Sequence, residues 1–225
     1  MKFNVAIDGP SSAGKSTIAY AIADKYQLTH IDTGAMYRCL AIMIERLDID
    51  PEDELAVEEI LPTVRIYFDE EGHIYLNDED VTSLIRNEKI SWYASTASKH
   101  FIVRRFLVEQ QQQISQEKGF VLDGRDIGTV VLPDAEIKLF ITADAESRAK
   151  RRYLEYKDKG IECNYNDVYQ DIIKRDYQDS NRANSPLIKA DDAVEIDTSD
   201  LTIKEVLTRI ERIIDSKLKG EEIHD

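Results

Sequence analysis

Eight residues near the start of the chain, Gly9-Pro10-Ser11-Ser12-Ala13-Gly14-Lys15-Ser16, satisfy every fixed position of the pattern G-x-x-x-x-G-K-[ST]. The chemistry such a segment performs is the cradling of a nucleoside triphosphate. Its glycines permit a tight loop whose backbone N–H groups converge on phosphate oxygens, and the N-terminus of a following helix adds partial positive charge behind them. Lys15 is then placed to reach the β- and γ-phosphates, and Ser16 to ligate Mg²⁺. The flanks agree with this. Phe3-Asn4-Val5-Ala6-Ile7-Asp8 suits a short buried strand, and Lys15 to about Tyr26 reads as a helix with Ile18, Ala19, Ile22 and Ala23 at helical spacing. An ordinary glycine turn after a strand would require neither the lysine nor the serine.

Three further polar constellations point to a second, smaller phosphorylated substrate. Asp32-Thr33-Gly34-Ala35-Met36-Tyr37-Arg38 follows the second strand and opens a helix. Thr33 and the helix N-terminus can hydrogen-bond an anion, and Arg38 offers a planar bidentate donor; a capped helix with a surface arginine is the alternative. Asp123-Gly124-Arg125-Asp126 ends a strand at Phe120–Leu122, where ligands bind in parallel sheets, although two acids around an arginine could satisfy one another. Arg175, Asp179 and Arg182 fall at i, i+4 and i+7, so a helix starting at about Asn164 and running to about Ser180 would display them on one face if it reaches that far, and Arg148, Arg151 and Arg152 repeat the logic at i, i+3 and i+4 on the helix before it. Surface salt-bridge ladders are the plain reading. Joined by Lys157-Asp158-Lys159-Gly160, the two helices also suit a mobile hairpin closing on phosphates.

These residues need a scaffold, and the pattern supplies one. Strand-like runs at Val5–Ile7, Leu28–Ile31, Phe120–Leu122, Ile137–Ile141 and Ala193–Ile196 alternate with helical segments, which is the signature of an α/β fold with a central parallel sheet and helices on both faces. The last helix, Ile203 to about Lys217, turns Val206, Leu207, Ile210, Ile213 and Ile214 to the sheet. Between about Leu61 and Leu84 the pattern switches to a small antiparallel sheet, with strands at Arg65–Phe68, His73–Leu76 and Val81-Thr82 and turns at Asp69-Glu70-Glu71-Gly72 and Asn77–Asp80. Gln110 to Gln113 read as the solvated face of a helix from about Phe101 to Lys118.

The 225 residues carry a formal charge of -15, of which Asp48–Asp80, with thirteen acids and one arginine, contributes -12. The acidity is thus a local, solubilising face, and no basic stripe for nucleic acid is present. Cys39 and Cys163 form no C-x-x-C pair, which fits a reduced, cytoplasmic setting. No signal-peptide pattern and no apolar run approaching 18 residues is found. His30, His73, His100 and His224 lack metal-ligand spacing and read as structural or surface residues.

Together the segments at 9–15, 32–38, 123–131 (Asp-Gly-Arg-Asp-Ile-Gly-Thr-Val-Val) and 175–182 (Arg-Asp-x-x-Asp-x-Asn-Arg) resemble cytidylate kinases of the long bacterial type, essentially end to end. The resemblance implies a P-loop three-layer kinase fold with a nucleoside-monophosphate-binding insert and a helical lid. It assigns 1–35, 101–143 and 183–225 to the core, 36–100 to the acceptor-binding region and 144–182 to the lid. It implies triphosphate contacts from Gly9, Pro10, Ser11, Ser12, Ala13, Gly14, Lys15, Ser16 and Thr17, and from Arg148, Arg151 and Arg152 on closure. Thr33, Tyr37, Arg38, Arg125 and Arg182 match positions holding the CMP phosphate. Ser95, Arg104 and Asp126 match those reading the cytosine ring, and Arg175 and Asp179 those at the ribose. Gln178 and Ser180 stand where some relatives carry arginines, so neither inherits a phosphate contact.

The implied reaction is ATP + CMP (or dCMP) giving ADP and the diphosphate, by in-line transfer in a Mg²⁺-dependent cytoplasmic monomer, with Lys15, Arg125 and Arg182 as the catalytic cations. The acceptor phosphate is itself an anionic nucleophile, so no general base is needed. Another acceptor, such as UMP, AMP or shikimate, is the nearest alternative. A GTP-binding switch is further off, because no N-K-x-D guanine-reading motif follows the later strands.

Overall fold

The computed structural model describes residues 2–69 and 71–220. Its contacts divide the chain into two compact units, one running to His30 and resuming at Lys118, the other spanning Ile31–Glu117.

The first unit is built on a five-stranded sheet of order β2-β6-β1-β7-β8: β1 (Val5–Asp8), β2 (Thr29–Asp32), β6 (Phe120–Gly124), β7 (Ile137–Thr142) and β8 (Val194–Asp197). The central β1 is buried throughout and lies parallel to both neighbours, with Val5 opposite Val121 on one side and Ile137 on the other. A strand buried on both faces has no polar alternation, which is why this one reads as a continuous apolar run. Just before it, Asn4 Oδ1 accepts from the backbone N–H groups of Gly119 and Phe120, which fixes the start of β6. Helix α1 (Lys15–Tyr26) packs Ile18 and Ile22 into the sheet core, and α8 (Ile203–Lys219) adds Val206, Ile210, Ile213 and Ile214, with Leu207 only partly buried beside them. The start of α8 is fixed by a capping box between Thr202 and Glu205. Helices α6 (Ala145–Asp158) and α7 (Tyr165–Asn181) pack against each other as a hairpin capped by Asp144 and Asn164.

In the second unit, α2 (Thr33–Arg46) packs on α4 (Glu88–Ala97), and α3 (Glu54–Ile60) on α5 (Phe101–Ile114). The antiparallel sheet is β3 (Ile66–Phe68), β4 (Ile74–Leu76) and β5 (Glu79–Asp80), with Tyr67 opposite Tyr75 and their rings stacked 4.9 Å apart. Its third strand begins two residues earlier than Val81, because Asn77 (φ 49) and Asp78 (φ 71) both adopt left-handed backbone and turn the chain in two residues. Within the expected turn at 69–72, Glu70 lies outside the described residues, as does His224.

Two further expectations are corrected. Helix α5 ends at Ile114, where the Ser115 hydroxyl donates to the Gln111 carbonyl. The four glutamines are also not one solvated face: Gln111 is 1% exposed, since it falls on the same helical face as Val103, Arg104, Leu107 and Val108. Among the described residues no helix is long and apolar enough to cross a membrane.

Candidate active site

The loop between β1 and α1 is shaped by two glycines. Gly9 has φ 146, and a Cβ there would sit 1.9 Å from the Ile141 carbonyl oxygen, so no other residue fits. Gly14, at φ 94, caps α1 in a left-handed conformation. Lys15 is buried and its ammonium donates to the Pro10 carbonyl at 2.8 Å. Burial pulls the Lys15 pKa down to about 7, helped by Arg125 and opposed by Asp123, Asp179 and Asp8. A phosphate anion beside it would restore the charged form. The next residue, Ser16, is exposed, as is Thr17, and its hydroxyl donates to Asp123 Oδ2 at 2.9 Å.

The α6–α7 hairpin reaches this loop through arginines. Arg152 donates from Nε to Ser12 Oγ and from Nη2 to Ser11 Oγ, both at 3.0 Å. Arg148 is buried and clamps Asp176 with two hydrogen bonds of 2.9 and 2.6 Å, while its Nε donates to the Ala143 carbonyl. Arg151 instead pairs with Thr198, whose hydroxyl in turn donates to the Ala13 carbonyl.

A second cluster forms where β6 ends. Arg125 Nε donates to Asp179 Oδ2 at 2.8 Å, and Arg182 approaches Asp179 Oδ1 at 3.6 Å and Asp126 Oδ1 at 3.9 Å. Burial would raise the Asp179 carboxyl, but Arg125, Arg182 and Arg175 outweigh it and hold it below the usual carboxylate range. Arg125 and Arg182 thus share one carboxylate, and the charge of Arg175 adds to its stabilisation. Arg175, Asp179 and Arg182 do not form one helical row: α7 stops at Asn181, and Arg182 takes an extended conformation (ψ 143) with its Nε on the Ser185 carbonyl.

In the second unit, Asp32 caps α2 by accepting from the Ala35 N–H and also pairs with Arg38 at 2.7 Å. Gly34 leaves room for this pair, since a Cβ there would stand 3.1 Å from both Arg38 Nη1 and Asp32 Oδ1. Thr33 is buried, the Arg104 guanidinium lies over the Tyr37 ring at 5.4 Å, and Ser95 is half-buried on α4.

The structure brings forward residues that the motif reading left aside. Asp8 accepts from the Ile127 and Gly128 N–H groups, both at 2.7 Å, and so anchors the turn after Asp126. Burial raises its pKa to about 6 against these two hydrogen bonds. His30 also holds Asp123, Asp123 holds Ser16 of the loop, and Asp176 holds Arg148 of the α6–α7 hairpin. Of these only Asp123 carried a sequence signal, as the acid closing an apolar strand.

Residues 5–216 match the sequence pattern of the family described as cytidylate kinase. Cytidylate kinase of Bacillus velezensis is 49% identical over 219 residues, covering 96% of this chain and 98% of that one. That of Caldicellulosiruptor bescii is 45% identical over 223 residues, covering 98% and 99%. Among solved structures, a shikimate kinase from Bacteroides thetaiotaomicron superposes with a TM-score of 0.50 at 11% identity, over 96% of this chain and 99% of that one, which is a likeness of fold alone. With the phosphate loop, the paired arginines and a match spanning both units, the chain belongs to the cytidylate kinase family.

Proposed function

We propose that this protein transfers the γ-phosphoryl group of ATP to CMP, and likewise to dCMP, releasing ADP and the nucleoside diphosphate. The observation that carries the reading is the joining, in one unit of a family member, of a formed phosphate loop to Arg148 and Arg152 of the lid hairpin. A CMP phosphate oxygen attacks the γ-phosphorus, the bond to the β-bridging oxygen breaks, and ADP leaves with that electron pair. Nothing needs to remove a proton, so the protein's part is positioning and charge stabilisation.

Lys15 and the backbone N–H groups of residue 9 and residues 11–17 take the β- and γ-phosphates, with Pro10 shaping the loop without an N–H to give. Arg148 and Arg152 close from the lid, with Arg151 supporting through Thr198. The resemblance supports Thr33, Tyr37 and Arg38, together with Arg125 and Arg182, as partners of the acceptor phosphate, Arg175 and Asp179 at the ribose, and Ser95, Arg104 and Asp126 at the base. Mg²⁺ suits the hard oxygens of Ser16 and Asp123 and, when bound, supplies charge neutralisation on the β- and γ-phosphates. Residues 144–182 act as a lid that excludes water, the competing acceptor. We assign a monomer in the cytoplasm, in keeping with two free cysteines.

The test is a phosphoryl-transfer panel with ATP against CMP, dCMP, UMP, AMP and shikimate. CMP should give the highest kcat/KM. An equal or higher value for UMP would leave a general pyrimidine kinase, and hydrolysis indifferent to every acceptor would refute the kinase reading.

A further inference from the structure

His30 is one of the histidines whose sequence position suggested no chemistry, yet it stands one residue away from the phosphate machinery. Its Nε2 lies 2.6 Å from Asp123 Oδ1, and both side chains are nearly sealed from water, 6% and 5% exposed. The other oxygen of the same carboxylate accepts the Ser16 hydroxyl proton. An ionised carboxylate can only accept, so His30 Nε2 is the donor and each Asp123 oxygen has its own assigned hydrogen. The Tyr20 ring meets the imidazole edge-on, with centroids 4.3 Å apart, and Tyr20 lies one turn beyond Ser16 on the same face of α1. Four side chains from α1, β2 and β6 therefore form a chain, Tyr20–His30–Asp123–Ser16, that ends on an exposed hydroxyl beside Lys15.

A hydroxyl that gives its proton to a fixed carboxylate has its lone pairs directed away from that carboxylate. A freely rotating Asp123 would not impose that direction. We propose that His30 is a positioning residue for the metal–nucleotide complex: by holding Asp123 through Oδ1 it leaves Oδ2 to orient Ser16, and so sets how tightly ATP is held as its Mg²⁺ complex. The inference rests on the ATP reading above and adds to it a residue that touches neither nucleotide nor metal. A purely structural histidine, kept only to satisfy a buried carboxylate, is the competing account.

The experiment separates the two by comparing metal-free ATP with MgATP. Binding of each is measured by titration calorimetry, without acceptor and at one pH, for the parent, His30→Phe and His30→Gln. Phenylalanine keeps a ring but no donor. Glutamine carries an amide nitrogen the same number of bonds from the backbone as imidazole Nε2. Should His30→Phe not fold, His30→Asn, whose donor falls one bond short, takes its place. In the parent, Mg²⁺ should tighten ATP binding. In His30→Phe that tightening should shrink by roughly 10- to 100-fold, the usual effect of removing a partner that orients a metal ligand, with the affinity for metal-free ATP unchanged. His30→Gln should restore most of it.

Parental tightening in His30→Phe, an equal loss for metal-free ATP and MgATP, failure of His30→Gln to rescue, or a parent indifferent to Mg²⁺ would each overturn the proposal. Phosphorylation of CMP by the parent is followed in parallel. If the parent phosphorylates CMP while His30→Phe keeps parental tightening, the His30 role fails alone, and if the parent does not phosphorylate CMP, the functional reading fails.

Discussion

Asp176→Ala asks whether Arg148 is held in readiness for a phosphate or is simply part of the framework of the α6–α7 hairpin. The Arg148 side chain is 5% exposed and Asp176 27% exposed, and the two form a bidentate pair with bonds of 2.9 and 2.6 Å. The rest of the guanidinium reaches the Ala143 carbonyl and, at 3.4 Å, the Ser11 carbonyl of the phosphate loop. Removing one partner of a fully buried pair costs about 3–5 kcal/mol, because the remaining charge is left desolvated. Water has partial access at Asp176, so we expect about 2–3 kcal/mol for the ligand-free protein. For a chain of this length that is a fall of roughly 5–10 °C in Tm. If Arg148 meets the triphosphate, ATP supplies the missing anion, and the loss at saturating ATP should shrink to below about 1 kcal/mol. By linkage, ATP should then stabilise the variant by about 2 kcal/mol more than the parent, equivalent to roughly 30-fold tighter binding. Thermal and urea unfolding at zero and saturating ATP measure both quantities. The same loss under both conditions would show that Arg148 never exchanges its partner, and would remove it from the nucleotide site.

Lys15→Met should lower kcat by a factor of 10² to 10³ or more, about 3 kcal/mol of transition-state stabilisation, while the unfolding free energy stays level or rises, because burying this ammonium costs stability. Near-parental turnover in a folded variant would refute the loop's assigned role. Asp8 gives a pH signature: its folded pKa of about 6 exceeds the ordinary 3.8, so its protonated form stabilises the fold below pH 3.8 and that contribution is lost as pH rises through 6. Between pH 4 and pH 7 the parent should therefore lose roughly 2 kcal/mol relative to Asp8→Asn in urea unfolding, and parallel pH curves would contradict it. Asp126→Asn should narrow the preference for CMP over UMP chiefly by weakening CMP, since cytosine offers an N4 donor where uracil offers O4, and each mismatched buried group costs roughly 1–3 kcal/mol. Unchanged kcat/KM ratios would remove Asp126 from base reading.

What the sequence made legible was local. The loop from Gly9 to Ser16 could be read because its requirements, left-handed glycines, a lysine and a hydroxyl at a helix start, lie within eight consecutive residues. The inner strands β1, β6 and β7 were visible because double-sided burial writes itself as short apolar runs. Errors arose where a neighbour distant in the chain, or a backbone angle, decided the outcome. Gln111 looks like its three polar neighbours but falls on the apolar side of α5. The i, i+4, i+7 spacing left open whether Arg182 shares the helix, and the backbone angle at that residue decides that it does not. The His30–Asp123 pair joins residues 93 apart, and no spacing rule reaches that far. Asp176 escaped for a related reason: one acid among several on α7 is singled out only when Arg148, 28 residues earlier, packs against it.

The arginines in the first unit suggest how a protein stores cations for phosphates without unfolding itself. Arg125 and Arg182 share Asp179, and Arg148 holds Asp176. Unpaired, each would be a buried or half-buried charge with a large desolvation cost. Paired, each can exchange a carboxylate for a phosphate oxygen with little change in the number of charge-assisted bonds. Binding energy from such exchanges is therefore smaller than the number of contacts implies. The gain is concentrated where charge grows beyond what a carboxylate supplies, on the oxygens of a γ-phosphoryl group in flight between two anions. A side chain that breaks even against the ground state and profits only in the transition state raises kcat rather than lowering KM. If the arginines meet phosphates as proposed, Asp176 and Asp179 contribute to catalysis as much as the arginines they hold, because they set the reference against which phosphate binding is measured.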